Sequence, residues 1–265
     1  MKLLLYIALC SLILSGCQNT HKDDPNVLFE EDFNEKSSLD TTVWKSCTYA
    51  NNAWSQHFKN TKPYEGVKVE NGYLKLRASK DSVGYKNAGI RTAFGFPAPS
   101  RLEVKARLTK WVRGGFPAIW QMPVGGEIWP KSGEIDLMEW VQGTPKKVYQ
   151  TVHTFYINGP SGSAGVTNPN PNLDFDVTID HIYAADRTKD AVIFYIDGQE
   201  TWRYDNKQLN QEELQFPFCD FPFDIILNFS LGGTLNGNPT WPGTIIDDDL
   251  PGEMWIDWVK VSKLP

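Results

Sequence analysis

The chain has 265 residues, with 26 lysines and arginines against 32 aspartates and glutamates, a formal net charge of −6. This acidic balance argues against nucleic acid as the main partner and makes sulfated polyanions poorly matched ligands. Ten tryptophans are many for this length, and indole rings suit ligands with flat apolar faces, such as sugars.

Met1-Lys2 is a short positive start, Leu3 to Leu14 is an almost unbroken apolar run, and Leu14-Ser15-Gly16-Cys17 sets small residues before a cysteine. The run falls short of the roughly 20 residues that a spanning helix needs, and the layout is that of an export signal. Its ending resembles the lipobox of bacterial lipoproteins. That resemblance implies loss of residues 1–16, lipidation of Cys17, and anchoring to the bacterial envelope, at the outer membrane, on its surface or periplasmic side. Residues 17–26 then read as a tether and residues 27–265 as one domain, expected to be a monomer. Cys47 and Cys219 remain; an exported compartment permits a disulfide between them, and two free thiols fit the sequence equally well.

Short strands follow one another along the chain. Val67-Lys68-Val69-Glu70, Asn71-Gly72 and Tyr73-Leu74-Lys75-Leu76-Arg77 are alternation, a type I′ turn pair and alternation again, which predicts a hairpin. Leu102 to Leu108 alternates apolar and charged residues. Val192 to Ile196 runs into the turn pair Asp197-Gly198, and Ile225 to Phe229 and Trp255 to Val261 supply later strands. Only Asn206 to Leu214 has the character of a helical turn, and Asn158 to Asn172 reads as a long loop. Seventeen prolines and 21 glycines punctuate the strands. The pattern predicts an all-β antiparallel sandwich.

The most informative segment is Trp129-Pro130-Lys131-Ser132-Gly133-Glu134-Ile135-Asp136-Leu137-Met138-Glu139-Trp140. On a regular strand Glu134 and Asp136 share one face and Glu139 takes the other. One extra residue near Leu137-Met138, a β-bulge, brings all three to one side. A solvated edge strand would account for the charges but not for the flanking tryptophans or the apolar residues between the acids. Crowded carboxylates share protons, which raises at least one pKa. A carboxylate pair of this kind suits retaining glycoside hydrolysis, in which one acid attacks the anomeric carbon and the other protonates the departing oxygen.

This segment resembles the active-site signature of glycoside hydrolase family 16 in its bulged Glu-x-Asp-x-x-Glu form. The likeness extends to Leu28 to Asn34, Gly89-Ile90-Arg91, Phe116 to Met122, Leu227 to Gly233 and Met254 to Val261. It implies a jelly-roll sandwich with an open cleft, Glu134 as nucleophile, Glu139 as general acid/base and Asp136 assisting between them. His153, on the next predicted strand, is implied near the acids. Trp129 is the leading candidate to stack on a sugar, followed by Trp54 and Trp120, with Trp241 at the far end of the cleft. Arg91 reads equally as a ligand of a sugar hydroxyl or the partner of an acid. No cofactor is required; the resemblance implies a structural calcium away from the cleft, with Asp257 and Glu31 as candidate ligands.

The expected partner is a polysaccharide or O-glycan. Asn51-Asn52-Ala53-Trp54 departs from the glutamate-containing Asn-Asn-Glu motif of many β-1,3-glucan members, whereas Leu250 to Trp258 resembles gut bacterial members that cut β-1,4-galactosyl bonds in mucin O-glycans (poly-N-acetyllactosamine). The reading is therefore a retaining endo-β-glycosidase of endo-β-1,4-galactosidase type. An endo-β-1,3(4)-glucanase acting on laminarin or mixed-linkage glucan is the alternative. A non-catalytic glycan-binding lipoprotein is a third, which has no need of Glu134, Asp136 and Glu139 together.

Overall fold

The computed structural model describes residues 24–34, 36–141, 146–158, 165–171, 175–207 and 215–265. The expected export signal, Cys17, most of the expected tether and most of the expected helical turn at Asn206–Leu214 lie outside the described residues.

Two large antiparallel sheets form a sandwich. In the first the strands lie in the order Gln199–Asp205, Ala191–Ile196, His181–Arg187, Ser100–Leu108, Gly252–Lys263, Tyr73–Lys80 and Val67–Glu70; Val27–Glu31 pairs with Gly252–Lys263 and Tyr85–Lys86 with Tyr73–Lys80. In the second the order is Val166–Thr167, Tyr149–His153, Glu134–Glu139, Gly115–Pro123, Phe223–Leu231, Ala88–Thr92 and Trp44–Ser46. The all-β sandwich of the sequence reading is therefore present.

Local chemistry explains the elements. The hairpin turn falls at Asn71 (φ 55°) and Gly72 (φ 77°), and that after Ile196 at Asp197 (φ 51°) and Gly198 (φ 77°); asparagine, aspartate and glycine tolerate this left-handed region. Along Ser100–Leu108 burial alternates residue by residue, so Leu102, Val104, Ala106 and Leu108 enter the core while Arg101, Glu103, Lys105 and Arg107 face outward. The interior between the sheets is one cluster that includes Leu76, Val104, Trp140, Phe194, Leu227 and Ile256.

The second sheet differs in having both faces partly covered. Every residue of Phe223–Leu231 is buried, because its outer side lies under a second, smaller cluster of Cys47, Phe58, Ala118, Trp120 and Ile226, with Trp54 and Met122 against it. Cys47 and Cys219 are free thiols, the first buried and the second exposed. Burial pushes the Cys47 thiol up to about 12.

Leu227 is fully buried at the centre of this sheet. Replacing it with alanine is expected to lower unfolding free energy by about 2–5 kcal/mol, measured by urea denaturation; a loss below half a kcal/mol contradicts this account of the core.

Candidate active site

The strand Glu134–Glu139 carries the extra residue expected from its spacing. Against Gly115–Pro123 the register runs Gln121↔Ile135 and Trp120↔Asp136, then slips to Ile119↔Met138 and Ala118↔Glu139. Against Tyr149–His153 it runs His153↔Glu134, Val152↔Ile135 and Thr151↔Asp136, then Tyr149↔Glu139. Gln150 thus stands opposite the two residues Leu137 and Met138. Ile135, Leu137, Met138 and Trp140 all join the core, and Glu134, Asp136 and Glu139 are left together on the outer face.

Directly paired residues share a face of a sheet, so the register defines the whole outer row. Thr151, Asp136, Trp120, Ile226 and Arg91 form one line across the sheet; Tyr149, Glu139, Ala118, Asn228 and Gly89 form the next. Gly133, just before Glu134, has φ +86°, and a Cβ there would lie 2.8 Å from the ring of Phe218. Only glycine fits that approach to the acidic strand.

Asp136 is 2% exposed and its Oδ2 has no hydrogen-bond partner. His153 Nε2 lies 3.4 Å from that oxygen and 4.0 Å from Glu134 Oε1. The Trp129 indole N–H donates to Glu134 Oε2, and the same ring packs on His153 with centroids 5.5 Å apart. The Thr151 hydroxyl donates to Glu139. Among the described residues Glu134, Asp136 and His153 are the one grouping of three such side chains close enough to share an ion.

All three carboxyls are held above the ordinary carboxylate range. For Glu139, burial acts first and the charges of Asp136 and Glu134 add to it, with His153 and Thr151 opposing; it is raised well above its usual value. Glu134 is raised by burial and then by the charge of Asp136, while His153 and the Trp129 N–H pull it back. Burial also raises Asp136. Glu134 receives a strong donor, whereas the deeper Asp136 has an oxygen without one. A proton shared between these two therefore rests at lower cost on Asp136, leaving Glu134 as the anion. Glu139 has no lysine or arginine in contact among the described residues, and its burial beside Asp136 and Glu134 favours its protonated form. The row thus favours one charged carboxylate beside a protonated carboxyl, the pairing that acid-assisted nucleophilic displacement requires.

The other sequence candidates divide. Trp129 is 37% exposed beside Glu134. Trp120 is buried on the outer face, its indole N–H donating to Asn228 Oδ1 at 2.7 Å, and Trp54 meets it edge to face at 5.0 Å. Trp54 is thus a partly exposed cap over Trp120. Trp241 is 51% exposed and packs on Phe116 and Tyr149 at 5.4 and 5.0 Å; since Tyr149 pairs with Glu139, aromatic rings flank the acidic row at both ends. Arg91 lies on the outer face and is 43% exposed, but its Nε donates to the buried Asp224 Oδ2 at 2.7 Å, so the acid-partner reading describes its contact.

The candidate calcium ligands are engaged otherwise. Asp257 accepts from Lys105 Nζ at 2.8 Å. Glu31 accepts from Lys36 Nζ at 2.6 Å and from the Phe33 backbone N–H at 3.2 Å. Each carboxylate already has a lysine, so this donor set does not fit a calcium ion, which needs six or more oxygens. Thr151, Asn158, Tyr149 and Asn228 were not singled out from sequence. Thr151 and Tyr149 follow from strand alternation once the bulge is placed, whereas the Asn228 contact spans 108 residues.

Comparison with known proteins agrees with this geometry. The family model for glycosyl hydrolases family 16 matches residues 54–260. A curated relative, the keratan-sulfate endo-1,4-beta-galactosidase of Sphingobacterium multivorum, is 29% identical over 251 residues, covering 91% of this chain and 56% of that one. The chain spans about half the length, or less, of the first curated relatives it matches. A solved structure from work on endo-acting O-glycanases, which prominent members of the human gut microbiota express to initiate mucin breakdown, is 65% identical with a TM-score of 0.88, covering 91% of this chain and all of that one. A laminarinase structure from Flavobacterium sp. UMI-01 is 26% identical with a TM-score of 0.72, covering 89% of this chain and all of that one.

The raised carboxyls have a consequence for stability. A carboxyl whose folded pKa exceeds its unfolded value binds its proton more tightly when folded, so its stabilising contribution is complete below the unfolded pKa and is lost as pH rises through the folded one. Glu139→Gln is therefore expected to be more stable than the parent at pH 7–8, by about 2–4 °C in Tm for each kcal/mol. The gain should shrink toward zero below about pH 4, where the parent carboxyl is protonated in both states. Thermal melts across this range check it, and a variant less stable at every pH contradicts the charge-crowding account.

Proposed function

Because the chain belongs to glycosyl hydrolase family 16, with the family model spanning residues 54–260, we propose that it is a retaining endo-β-glycosidase with Glu134 as nucleophile and Glu139 as general acid/base. The observation that carries this reading is the bulged strand, which sets Glu134, Asp136 and Glu139 on one buried outer row.

In the first step a Glu134 oxygen forms a bond to the anomeric carbon as the bond to the glycosidic oxygen breaks. The Glu139 proton passes to that oxygen and the leaving sugar departs as an alcohol. The Trp129 N–H and Asp136 keep Glu134 oriented and limit the charge it carries alone. In the second step Glu139, now a carboxylate, takes a proton from water; the water oxygen bonds to the anomeric carbon and Glu134 leaves with its electron pair. Two inversions give net retention. Asp136 touches the nucleophile and tunes its proton affinity through the shared proton.

For the substrate, we infer cleavage of β-1,4-galactosyl bonds within mucin-type O-glycans. The support is the 65% identity to the structure from the O-glycanase work and the 29% identity to the galactosidase. A β-glucanase activity is the second reading, supported by a Rhodothermus marinus beta-glucanase 33% identical over 173 residues. Export with lipidation at Cys17 is inferred from the N-terminal sequence alone.

Glu134→Gln is expected to lower hydrolysis by at least about a thousandfold while oligosaccharide binding remains measurable by calorimetry; near-full turnover excludes Glu134 as nucleophile. Glu139→Ala should regain turnover with azide and yield a β-glycosyl azide, and an α product excludes double displacement. Product analysis against mucin O-glycans, poly-N-acetyllactosamine, agarose, laminarin and mixed-linkage glucan tests the substrate; cleavage of glucans alone overturns the galactosidase reading.

A further inference from the structure

His153 touches two of the acids, and its effect on them depends on which ring nitrogen carries the proton. The fold contains a device that decides this. After the strand Tyr149–His153 the chain enters a single helical turn, Phe155–Asn158, which brings Asn158 back over the strand end. The Asn158 backbone N–H donates to the Thr154 carbonyl at 2.9 Å, and its side-chain Oδ1 accepts the Thr154 backbone N–H at 3.2 Å. That second bond fixes the amide orientation, because a rotated amide would set two donors against each other. The remaining amide atom, Nδ2, lies 3.3 Å from His153 Nδ1.

Asn158 Nδ2 can only donate, so His153 Nδ1 must accept, and the neutral ring's proton is placed on Nε2. Nε2 is the atom 3.4 Å from Asp136 Oδ2 and 4.0 Å from Glu134 Oε1. The ring is also held from both sides: Trp129 packs on it, and Gly165 comes so close that a Cβ there would lie 3.0 Å from His153 Cε1 and 2.5 Å from the Val152 carbonyl oxygen. The charged groups facing the ring are Asp136 and Glu134, with Glu139 beyond them.

We propose that Asn158 is a positioning residue, resting on the glycosidase reading above, that locks His153 as the Nε2–H tautomer and so sets its proton on the nitrogen beside the Asp136–Glu134 pair. The opposite tautomer would present a lone pair to two carboxyl groups, and a doubly protonated ring would set Nδ1–H against the Asn158 amide. The lock therefore presents an N–H rather than a lone pair beside the two acids. Asn158 does so without touching a carboxylate.

The direct test is the tautomer itself, read by long-range ¹H–¹⁵N correlation on the whole protein. The chain has four histidines, and the His153 signals are assigned by their loss in His153→Gln. The expected result is a protonated Nε2 and a bare Nδ1 in the parent. Asn158→Asp replaces the donor by an acceptor, so Nδ1 should gain a proton. The same variant should shift the pH–rate profile and lower kcat about tenfold or more with little change in KM. Asn158→Leu, which removes the donor without adding charge, should give mixed tautomers and a smaller profile shift. A parent ring protonated on Nδ1, or an unchanged His153 pattern in Asn158→Asp, overturns the proposal. The parent spectrum needs no substrate, so it stands apart from any failure of the glycosidase assignment.

Discussion

One extra residue in one strand governs this molecule. The strand Glu134–Glu139 has its inner face in the main core and its outer face in the site, so side-chain alternation leaves no freedom: shifting by one residue exchanges core for surface. With the bulge at Leu137-Met138, four apolar residues enter the core and three acids leave it. Without it, either Glu139 enters the core while Met138 and Trp140 turn outward, or Glu134 and Asp136 enter the core. Both neighbouring strands slip register to accommodate it, and Gln150 fills the position opposite. That side chain is fully buried, and its Oε1 accepts from Thr201 at 2.7 Å and from Asn168 at 3.2 Å, which satisfies its carbonyl where the ladder is interrupted.

The same bulge creates an electrostatic burden. Three carboxyls in one partly dry row are unfavourable as charges, and no arginine or lysine contacts them among the described residues. The surroundings answer with neutral donors, the Trp129 indole and the Thr151 hydroxyl, and with the His153 imidazole close by. Neutral donors lower an anion's proton affinity less than a lysine or arginine at the same positions would. Elsewhere the molecule does use cations. Arg91 holds the buried Asp224, and Arg101 and Tyr195 hold Asp186. The contrast separates a row of acids met by neutral donors from framework acids that are paired with cations.

The sandwich, the hairpin at Asn71-Gly72 and the bulge were legible in the sequence because each has a local cause: alternation, a turn pair that accepts positive φ, or a spacing that alternation cannot satisfy. The aromatic character of the site was legible too, through Trp129 beside the acids. What remained hidden depends on long-range pairing. Asn228 reaches Trp120 and Asp224 reaches Arg91 only once the sheet order is fixed, across 108 and 133 residues. Asn158 sits at the start of a stretch rich in glycine, serine, proline and asparagine that reads as a loop, and nothing in composition marks one asparagine among several. The calcium candidates show the converse: two acids in suggestive places whose lysine partners, Lys36 and Lys105, no motif announces.

The acids also explain why the reaction class is better defined than the sugar. In the proposed reaction the row of Glu, Asp and Glu acts at the anomeric carbon and the leaving oxygen, atoms that galactosides and glucosides share. Discrimination must come from groups that meet the ring hydroxyls and the neighbouring residues of the chain. The candidate sugar-facing rings stand on turns around the sheet: Trp129 follows the strand Gly115–Pro123, and Trp241 follows the small hairpin of Thr234–Leu235 and Asn238–Pro239. Turns accept substitution and change of length more readily than the bulged strand, whose every residue is fixed by either the core or the chemistry. A scaffold divided in this way can keep one reaction while its relatives are named for different glycans, as the galactosidase and laminarinase neighbours are.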